Sequence, residues 1–309
     1  MAEAILNQPQ LQDAEKAREY LEALRWPTGI VCPHCGVIGA HYPISGKQVR
    51  PGVYKCKDCR EQFTVTVGTV FEDSKLPLNK WLQAVHLMCA SKKGISSKQL
   101  ERMLGVTYKT AWFMSHRIRE AMQDDKSGML GGGGKIVEAD ETYWGNSKRS
   151  KAGKNAKRAG GDHKMKVFTL LERDGRARSF HVPNVTGKTL RTILRDQVAR
   201  DTKLMTDEAM QYVGAKHDFR SHRTVNHSIK EYSRGEVSTN TVEGYFSLLK
   251  RGLIGTFRHV GEQHLGRYVS EFDFRYSHRK INDSDRAQIA LKGIAGKRLM
   301  YRHSSQLQP

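Results

Sequence analysis

The sequence predicts an α/β protein in which a mixed sheet flanked by helices forms the C-terminal half and two small modules precede it. Strand-like runs at 135–145, 165–175 and 176–183 are followed by a helical segment at 185–200 and a short strand that ends at Asp207. Because strands and helices mix in this order, we expect helices on the faces of one sheet. Two pairs of cysteines and a short helical array lie before residue 128.

The composition favours a nucleic-acid partner. Lys and Arg total 52 against 32 acids among 309 residues, and the resulting net charge of +20 favours a polyanion. A basic protein that binds no nucleic acid is the alternative.

No apolar run approaches the ~18 residues of a spanning helix, and the charged N-terminus does not resemble a signal peptide. We therefore expect no membrane association and a cytoplasmic protein at the nucleoid.

Four cysteines near the N-terminus have the spacing of a zinc ribbon. They form C-x2-C-x20-C-x2-C within VCPHCG and YKCKDCREQFTV, so each pair offers two thiolates from a tight turn. The four are Cys32, Cys35, Cys56 and Cys59. We expect one structural Zn²⁺ and a first domain over residues 1–72 that contains an N-terminal helix and the ribbon. His34 and His41 are alternative ligands, but four cysteines already close a tetrahedral site.

Residues 94–122 have the pattern of a helix-turn-helix, within a helical region that we place at 73–127. Gly105 separates two short helices, with Ser96 or Ser97 as the cap of the first and Thr107 as the cap of the second. In such a motif the second helix presents polar side chains to a major groove or to phosphates. Those side chains are Tyr108, Lys109, Thr110, His116 and Arg117. We expect Lys109 and Arg117 to bind DNA, unless this is an ordinary helical hairpin with a solvated face.

Residues 128–134 have the Gly-rich composition of a flexible linker, so we expect the catalytic domain over 135–309. Asp140 lies within or at the end of its first strand, and Asp207 ends the fourth. They would be neighbours if those strands paired side by side, as in the ribonuclease H-like fold. Strand alternation directs Glu138 to the face of Asp140, where it could support the site, and Glu141 to the other face.

The late helix carries an acid and a lysine on one side. Thirty-five residues separate Asp207 from Glu243, and Lys250 follows seven positions later, about two turns along the same face. The polar stripe is Asn240, Glu243, Ser247 and Lys250, and the apolar stripe is Val242, Phe246, Leu249 and Leu253. Thr239 or Asn240 is a suitable cap. Taken alone, such opposite charges are also typical of a solvated helix face.

The chain resembles bacterial insertion-sequence transposases that carry an N-terminal zinc ribbon and are related to the Merlin transposons (ISXO-type transposases). The resemblance rests on CPHCG with KCKDC, on VEADETYWG, on MTDE and on the block that begins NTVEGYFSLLKRGLIGTFRHV. It implies a ribonuclease H-like core in which Asp140, Asp207 and Glu243 bind two Mg²⁺ or Mn²⁺, with Lys250 near the substrate phosphate. Some relatives use Asn at the third position, which makes Asn240 the alternative; we prefer Glu243 because a carboxylate binds Mg²⁺ better than an amide.

The function implied by this resemblance is DNA transposition. We expect the protein to bind the terminal inverted repeats of an insertion sequence, to cleave the phosphodiester at each end, and to join the freed 3′-hydroxyl to target DNA. Cutting two ends in one event implies at least a homodimer on double-stranded DNA. The alternatives are a non-enzymatic DNA-binding regulator derived from a transposase, and a nuclease on the same fold that does not join strands.

Basic side chains outside the helix-turn-helix are candidates for phosphate contacts. One group lies in the loop 146–161, shortly after Asp140, and consists of Lys148, Arg149, Lys151, Lys154, Lys157 and Arg158. Arg251 and Arg258 follow Lys250. Because phosphate contacts dominate the affinity of proteins for DNA, we expect both groups to bind the DNA backbone.

Overall fold

The computed structural model describes residues 5–124, 128–145 and 164–300, which form two compact units. The first contains the residues up to 123 together with 281–300, and the second contains 124–280. The stretch 281–300, which the sequence analysis placed in the catalytic domain, is thus part of the N-terminal unit. Its helix buries Ala287, Ala290 and Leu291 there, so an apolar stripe, rather than position in the chain, decides where it packs.

The first unit begins with short helices and a small antiparallel sheet. These elements are a 3-10 helix (Ile5–Asn7), α1 (Pro9–Gln12), α2 (Ala14–Arg25), β1 (His41–Pro43), β2 (Tyr54–Cys56) and β3 (Gln62–Phe63). The sheet has the order β1-β2-β3. Asp13 caps α2 by accepting two backbone hydrogen bonds in its first turn. Trp26, at the other end of α2, packs edge-on against Tyr54 and Phe63, which attaches the helix to the sheet.

Three helices of the first unit form the predicted helix-turn-helix region: α3 (Leu78–Ala90), α4 (Ser97–Leu104) and α5 (Tyr108–Met122). Ser96 and Thr107 cap α4 and α5, each accepting a backbone hydrogen bond of 3.2 Å. Gly105 ends α4 with φ of +60°, a left-handed conformation that turns the chain toward α5. Cys89 of α3 is fully buried and belongs to the core of this unit.

The second unit alternates strands with helices. Its elements are β4 (Ile136–Trp144), β5 (Met165–Glu172), β6 (Ala177–Val182), α6 (Gly187–Gln197), β7 (Lys203–Asp207), β8 (Ser221–Val225), β9 (Ser233–Arg234), β10 (Val237–Ser238), α7 (Asn240–Gly252) and α8 (Glu262–Ser277), with 3-10 helices at Met210–His217 and His227–Ile229 and a π-helical turn at Leu253–Phe257. The helix α9 (Asp283–Lys292) then returns to the first unit. No helix in the described part of the chain is long and apolar enough to cross a membrane.

Five strands of the second unit form one mixed sheet in the order β6-β5-β4-β7-β8. β4, β5 and β6 are antiparallel neighbours, whereas β7 and β8 run parallel to β4. Counted from β4, this is the strand order 3-2-1-4-5 of the ribonuclease H-like fold, and it confirms the predicted pairing of the first and fourth strands. Every residue of β5 is buried because helices cover both faces of the sheet.

Each face of the sheet has its own apolar core. On one face, α7 and α8 pack Val242, Phe246 and Phe272 against β5. On the other, α6 packs Leu190 and Leu194 in the same core as residues of β4 and β7. Side chains of β4 and β7 therefore enter different cores according to the parity of their positions, and this parity decides which of them can meet α7.

The Gly-rich tract at 128–134 is docked on the second unit. Leu130 is fully buried in the core under α6. The amide of Gly131 donates to Glu172 Oε2 at 3.1 Å, and the amide two residues later donates to Asp201 Oδ2 at 2.6 Å. The four consecutive glycines have φ between +58° and +81°, which side-chain-bearing residues rarely adopt. The glycines thus allow the backbone to follow one defined, hydrogen-bonded path. The flexible linker that the composition predicts is not what the structure shows.

Candidate functional site

Asp140 and Asp207 lie at the same level of adjacent parallel strands. The last paired residues of β4 and β7 are Glu138 and Met205, and Asp140 and Asp207 each lie two residues beyond this pair. Ala139 and Leu204 pack in the core under α6. Since side chains alternate along a strand, Asp140 and Asp207 both point to the opposite face, which α7 covers.

α7 brings Glu243 to this pair of aspartates. The helix buries its apolar stripe and exposes its polar stripe as predicted, and these polar residues are Asn240, Glu243, Ser247 and Lys250. Glu243 Oε1 accepts a hydrogen bond from Thr239 Oγ1 at 3.1 Å and lies 3.5 Å from His227 Nε2. The charges of Asp207 and Glu243 both act on Asp140, so the carboxylates from β4, β7 and α7 are electrostatic neighbours, although among the described residues only the four cysteines form a group of three or more ligand atoms that all lie within 4.8 Å of one another.

Burial and neighbouring acids both disfavour the ionised forms of the two aspartates. Burial raises the pKa of Asp140 to about 8, and the charges of Glu141, Asp207 and Glu243 add to the rise. Burial also raises the pKa of Asp207, against the opposing effects of the Ala209 amide and His227. Among the largest effects on these two aspartates in the described part of the chain, the one basic side chain is His227, which acts on Asp207. The site therefore holds more negative charge than its own side chains neutralise.

Glu141 follows Asp140 in sequence but lies on the other face of β4, as strand alternation predicts. Its carboxylate accepts a hydrogen bond from Gln211 Nε2 at 2.6 Å and another from the hydroxyl of Tyr212. Both donors belong to the 3-10 helix that follows Asp207. Glu141 thus ties β4 to this helix, while its charge still raises the pKa of Asp140.

His227 and Thr239 are neighbours of Glu243 that the sequence analysis did not identify as site residues. Thr239 precedes α7 and was expected as a cap, yet its side chain makes no capping hydrogen bond and instead donates to Glu243. His227 Nε2 lies 3.4 Å from Thr239 Oγ1. Neither contact has a sequence signal, because the chain between Asp207 and α7 has no periodicity and reaches the site only through the turn at His227–Ile229.

The predicted basic residues at the end of α7 are all exposed. Lys250 lies about 10 Å along the helix axis from Glu243, on the same face. Arg251 belongs to the last turn of α7. Arg258 has φ of +59° and ψ of −53°, and its two neighbours are joined by a hydrogen bond of 2.6 Å. This is a classic γ-turn, a strained conformation that is rare outside specialised loops.

In the helix-turn-helix, Lys109 and Arg117 have different surroundings. Lys109 is exposed in the first turn of α5, as predicted. Arg117 is only 8% exposed, donates to the Glu72 carbonyl at 2.7 Å and packs over the Phe113 ring. The outward orientation predicted for Arg117 is thus wrong, because neighbouring elements of the first unit cover the middle of α5. His116, 1% exposed, is buried for the same reason.

The basic loop after Asp140 falls outside the described residues. Its predicted phosphate contacts are Lys148, Arg149, Lys151, Lys154, Lys157 and Arg158.

The four cysteines of the ribbon meet as the spacing predicts. Their sulfurs lie within 4.8 Å of one another, with Cys32–Cys59 and Cys35–Cys56 separations of 3.7 Å. Four sulfurs at ~2.3 Å from a tetrahedral Zn²⁺ lie about 3.8 Å apart, so the cluster fits the ion without rearrangement. The histidines of the ribbon are not needed as ligands, since four thiolates complete the coordination.

Two family models match separate parts of the chain. Residues 12–62 match a transposase zinc-ribbon domain, and residues 129–277 match an ISXO2-like transposase domain. The first range contains the four cysteines, and the second contains Asp140, Asp207 and Glu243. The two matches thus contain the two sites that the geometry delineates.

Two similar proteins are described in terms of transposition, one as part of a transposable element and one as transposase-like. An uncharacterized protein in transposable element ISH50 of Halobacterium salinarum is 28% identical over 278 residues, which cover 84% of this chain and 90% of the relative. An uncharacterized transposase-like protein of Haemophilus influenzae is 27% identical over 118 residues, which cover 38% of this chain and 86% of that protein. With its ribbon, its sheet and these matches, the chain belongs to the ISXO2-like transposases that carry a zinc-ribbon domain, a family of DNA-processing enzymes.

Proposed function

We propose that this transposase binds the terminal inverted repeats of its insertion sequence and cuts and joins DNA strands at Asp140, Asp207 and Glu243. The observation that carries the proposal is the approach of three carboxylates on one face of the sheet, where burial and the charges of Glu141, Asp207 and Glu243 raise the pKa of Asp140 and only His227 opposes the rise at Asp207 among the described charged side chains. A partly buried group of like charges is unfavourable unless a cation completes it. Transposition supplies a reason for the arrangement, because its substrate is a phosphodiester.

The donor set fits Mg²⁺ or Mn²⁺. Carboxylate oxygens are the ligands that these ions prefer. Burial and the charges of Glu141, Asp207 and Glu243 raise the pKa of Asp140 to about 8, and a bound cation would instead favour its ionised form. When bound, two such ions would stabilise the attacking and the leaving oxygens of an in-line displacement.

The protein's own groups would set the geometry of the reaction. The strand register holds Asp140 and Asp207 at a fixed separation, and α7 adds Glu243 from above the sheet. Lys250, on the same face of α7, would offer a compact positive charge to a substrate phosphate. We prefer Glu243 to Asn240 as the third ligand because the charge of Glu243 already acts on Asp140.

DNA contacts outside this site would come from exposed basic residues. In the described part of the chain these are Lys109 of α5 and Arg251 and Arg258 at the end of α7, and the basic loop at 146–161 would add further phosphate contacts. Arg117 is not among them because it is buried. Since two element ends are cut in one event, the active assembly would be a homodimer or larger on DNA, at the nucleoid.

The experiment is incubation of the purified protein with labelled DNA that carries one end of the element, in Mg²⁺ or Mn²⁺. We expect cleavage at the end and a joined product with target DNA. Asp140→Asn and Asp207→Asn should each lower cleavage at least about 100-fold without lowering DNA binding. The matched control is Glu236→Gln, since Glu236 is an exposed acid of the same unit that pairs with Lys203 and Arg223.

Equal cleavage by the wild type and Asp140→Asn would overturn the catalytic assignment. Cleavage without any joined product would overturn the strand-transfer part and identify a nuclease. For the third position, Glu243→Gln should lose activity and Asn240→Ala should retain it, and the reverse result would assign Asn240 to the site.

A further inference from the structure

We propose that Glu138 and Glu208, the acids that flank Asp140 and Asp207 in sequence, are positioning residues that hold Glu243 in place from the two catalytic strands. The inference rests on the proposed function, in which Glu243 is a metal ligand. It assigns a role to the pairs of acids in the segments E-A-D and D-E. These flanking glutamates would not touch the metal or the DNA.

Glu138 holds the first turn of α7. It is fully buried on the same face of β4 as Asp140. Its Oε2 accepts hydrogen bonds from the amides of Thr241 and Val242, both at 2.9 Å, and its Oε1 accepts one from the Thr241 hydroxyl at 2.9 Å. The first amides of a helix have no partner within the helix and carry partial positive charge. A carboxylate from β4 thus performs the capping that Thr239 does not.

Arg173 completes this attachment. Its guanidinium donates to Glu138 Oε1 at 2.6 and 3.0 Å, and also to the carbonyls of Glu236 and Ser238 at 2.9 and 3.3 Å. The guanidinium therefore neutralises the buried carboxylate and binds the chain just before α7. As a result the start of α7 is fixed to the strand that carries Asp140.

Glu208 acts from the other catalytic strand. Its carboxylate accepts hydrogen bonds from the amides of His227 and Ser228 at 3.0 and 3.1 Å, and from the Ser228 hydroxyl at 2.7 Å. These bonds fix the turn from which the His227 ring reaches Glu243 Oε1 at 3.5 Å. The residue after Asp207 thus determines where this imidazole meets Glu243.

The contacts of Glu138 and Glu208 both act on the Glu243 side chain. Glu138 binds the backbone one and two residues before Glu243, and Glu208 fixes the turn whose His227 ring lies beside the Glu243 carboxylate. The Thr239 hydroxyl also donates to Glu243, but the Glu243 side chain is 43% exposed and has room to change rotamer. An exposed ligand on a separate helix needs such support, since groups that orient metal ligands commonly change metal affinity 10–100-fold when they are removed.

The test measures Mn²⁺ binding to the full-length, zinc-loaded protein through the electron paramagnetic resonance signal of free Mn²⁺. Cleavage of the element end is measured on the same variants. We expect Glu138→Gln and Glu208→Gln each to weaken Mn²⁺ binding about 10-fold. Neither change should weaken Mn²⁺ binding further in a Glu243→Gln background, because positioning residues act only through Glu243. Glu236→Gln, the matched control, should bind Mn²⁺ as the wild type does.

Unchanged Mn²⁺ binding in Glu208→Gln would overturn the inference for that residue. Because Glu208 is exposed, this variant tests the idea even if Glu138→Gln fails to fold. A further loss of affinity in the Glu243→Gln background would show a general structural effect and overturn positioning. If Asp140→Asn also retains both Mn²⁺ binding and cleavage, the proposed function fails. If Asp140→Asn loses them but Glu138→Gln and Glu208→Gln bind Mn²⁺ as the wild type does, only the present inference fails.

Discussion

In the ribbon, four cysteines within 28 residues of chain meet in one cluster, whereas the carboxylates of the second unit come from positions as far apart as 140 and 243. The sulfurs stand at the separations that a tetrahedral ion requires. The carboxylates form an open group in which burial, together with the charges of the neighbouring acids, raises the pKa of Asp140 to about 8. The ribbon is thus complete in its ligands, while under the proposed function the carboxylates keep unbalanced charge that a bound ion and a substrate would use.

The largest expected effect is loss of the ribbon's metal. Cys56→Ser should lower the zinc content from about one ion per chain to less than ~0.2 and unfold the ribbon, because binding energy is folding energy in such sites. Zinc is measured by mass spectrometry and the fold by limited proteolysis. Cys89→Ser is the control, since Cys89 is buried away from the cluster. Full zinc content in Cys56→Ser would contradict the assignment.

Substitution of a carboxylate in the second unit should stabilise the protein, whereas substitution of a ribbon cysteine should destabilise it. At neutral pH and without Mg²⁺ or Mn²⁺, Asp140→Asn should raise the melting temperature by ~5 °C, or about 2 kcal/mol, because the wild type must either take up a proton at Asp140 or bury a charge there that its neighbours disfavour. The same variant should lose cleavage. Differential scanning calorimetry in EDTA is unsuitable because it would strip zinc, so the protein is kept free of Mg²⁺ and Mn²⁺ instead. A lower melting temperature for Asp140→Asn would contradict this contrast between the sites.

The pH dependence should separate the wild type from that variant. The pKa of Asp140 is about 8 in the folded protein against 3.8 as its ordinary value, so the folded state holds a proton that the unfolded state releases. The contribution of Asp140 to stability is therefore greatest below about pH 4 and falls as pH rises toward about 8. The difference in urea-unfolding free energy between Asp140→Asn and the wild type should grow over this range. A constant difference would contradict it.

The smallest expected effect concerns the two turns of the ribbon. Gly36 follows Cys35 with φ of +79°, and Arg60 follows Cys59 with φ of +63°. Because a side chain disfavours this conformation, Arg60→Gly should stabilise zinc binding by about 1 kcal/mol, and Gly36→Ala should weaken it by a similar amount. Competition with a zinc chelator measures both. Weaker binding in Arg60→Gly would show that its side chain has a role beyond the turn.

The features predicted well from sequence are those set over short distances. The cysteine spacing gives two turns, Ser96 and Thr107 cap their helices, and the polar and apolar stripes of α7 divide as expected. Each depends on chain geometry within a few residues. The pairing of β4 with β7 agrees with the ribonuclease H-like fold that the family resemblance implies.

Other features could not be predicted from neighbouring residues in the sequence. Residues 128–134 have the composition of a linker but pack on the second unit, because their amides donate to the carboxylates of Glu172 and Asp201. Arg117 was expected outside and lies inside, since neighbouring elements cover the middle of α5. Residues 281–300 join the first unit although they follow the second in sequence.

The sequence by itself determined which ligands exist and which side of each element they occupy, because residue type and the periods of strand and helix are local properties. Only the tertiary structure decided that Glu138 caps α7, that His227 lies beside Glu243, and that Thr239 donates to Glu243 rather than to its own helix. Such contacts join residues separated by up to about a hundred positions. They form where burial of apolar surface brings elements together and leaves polar groups that must find partners there.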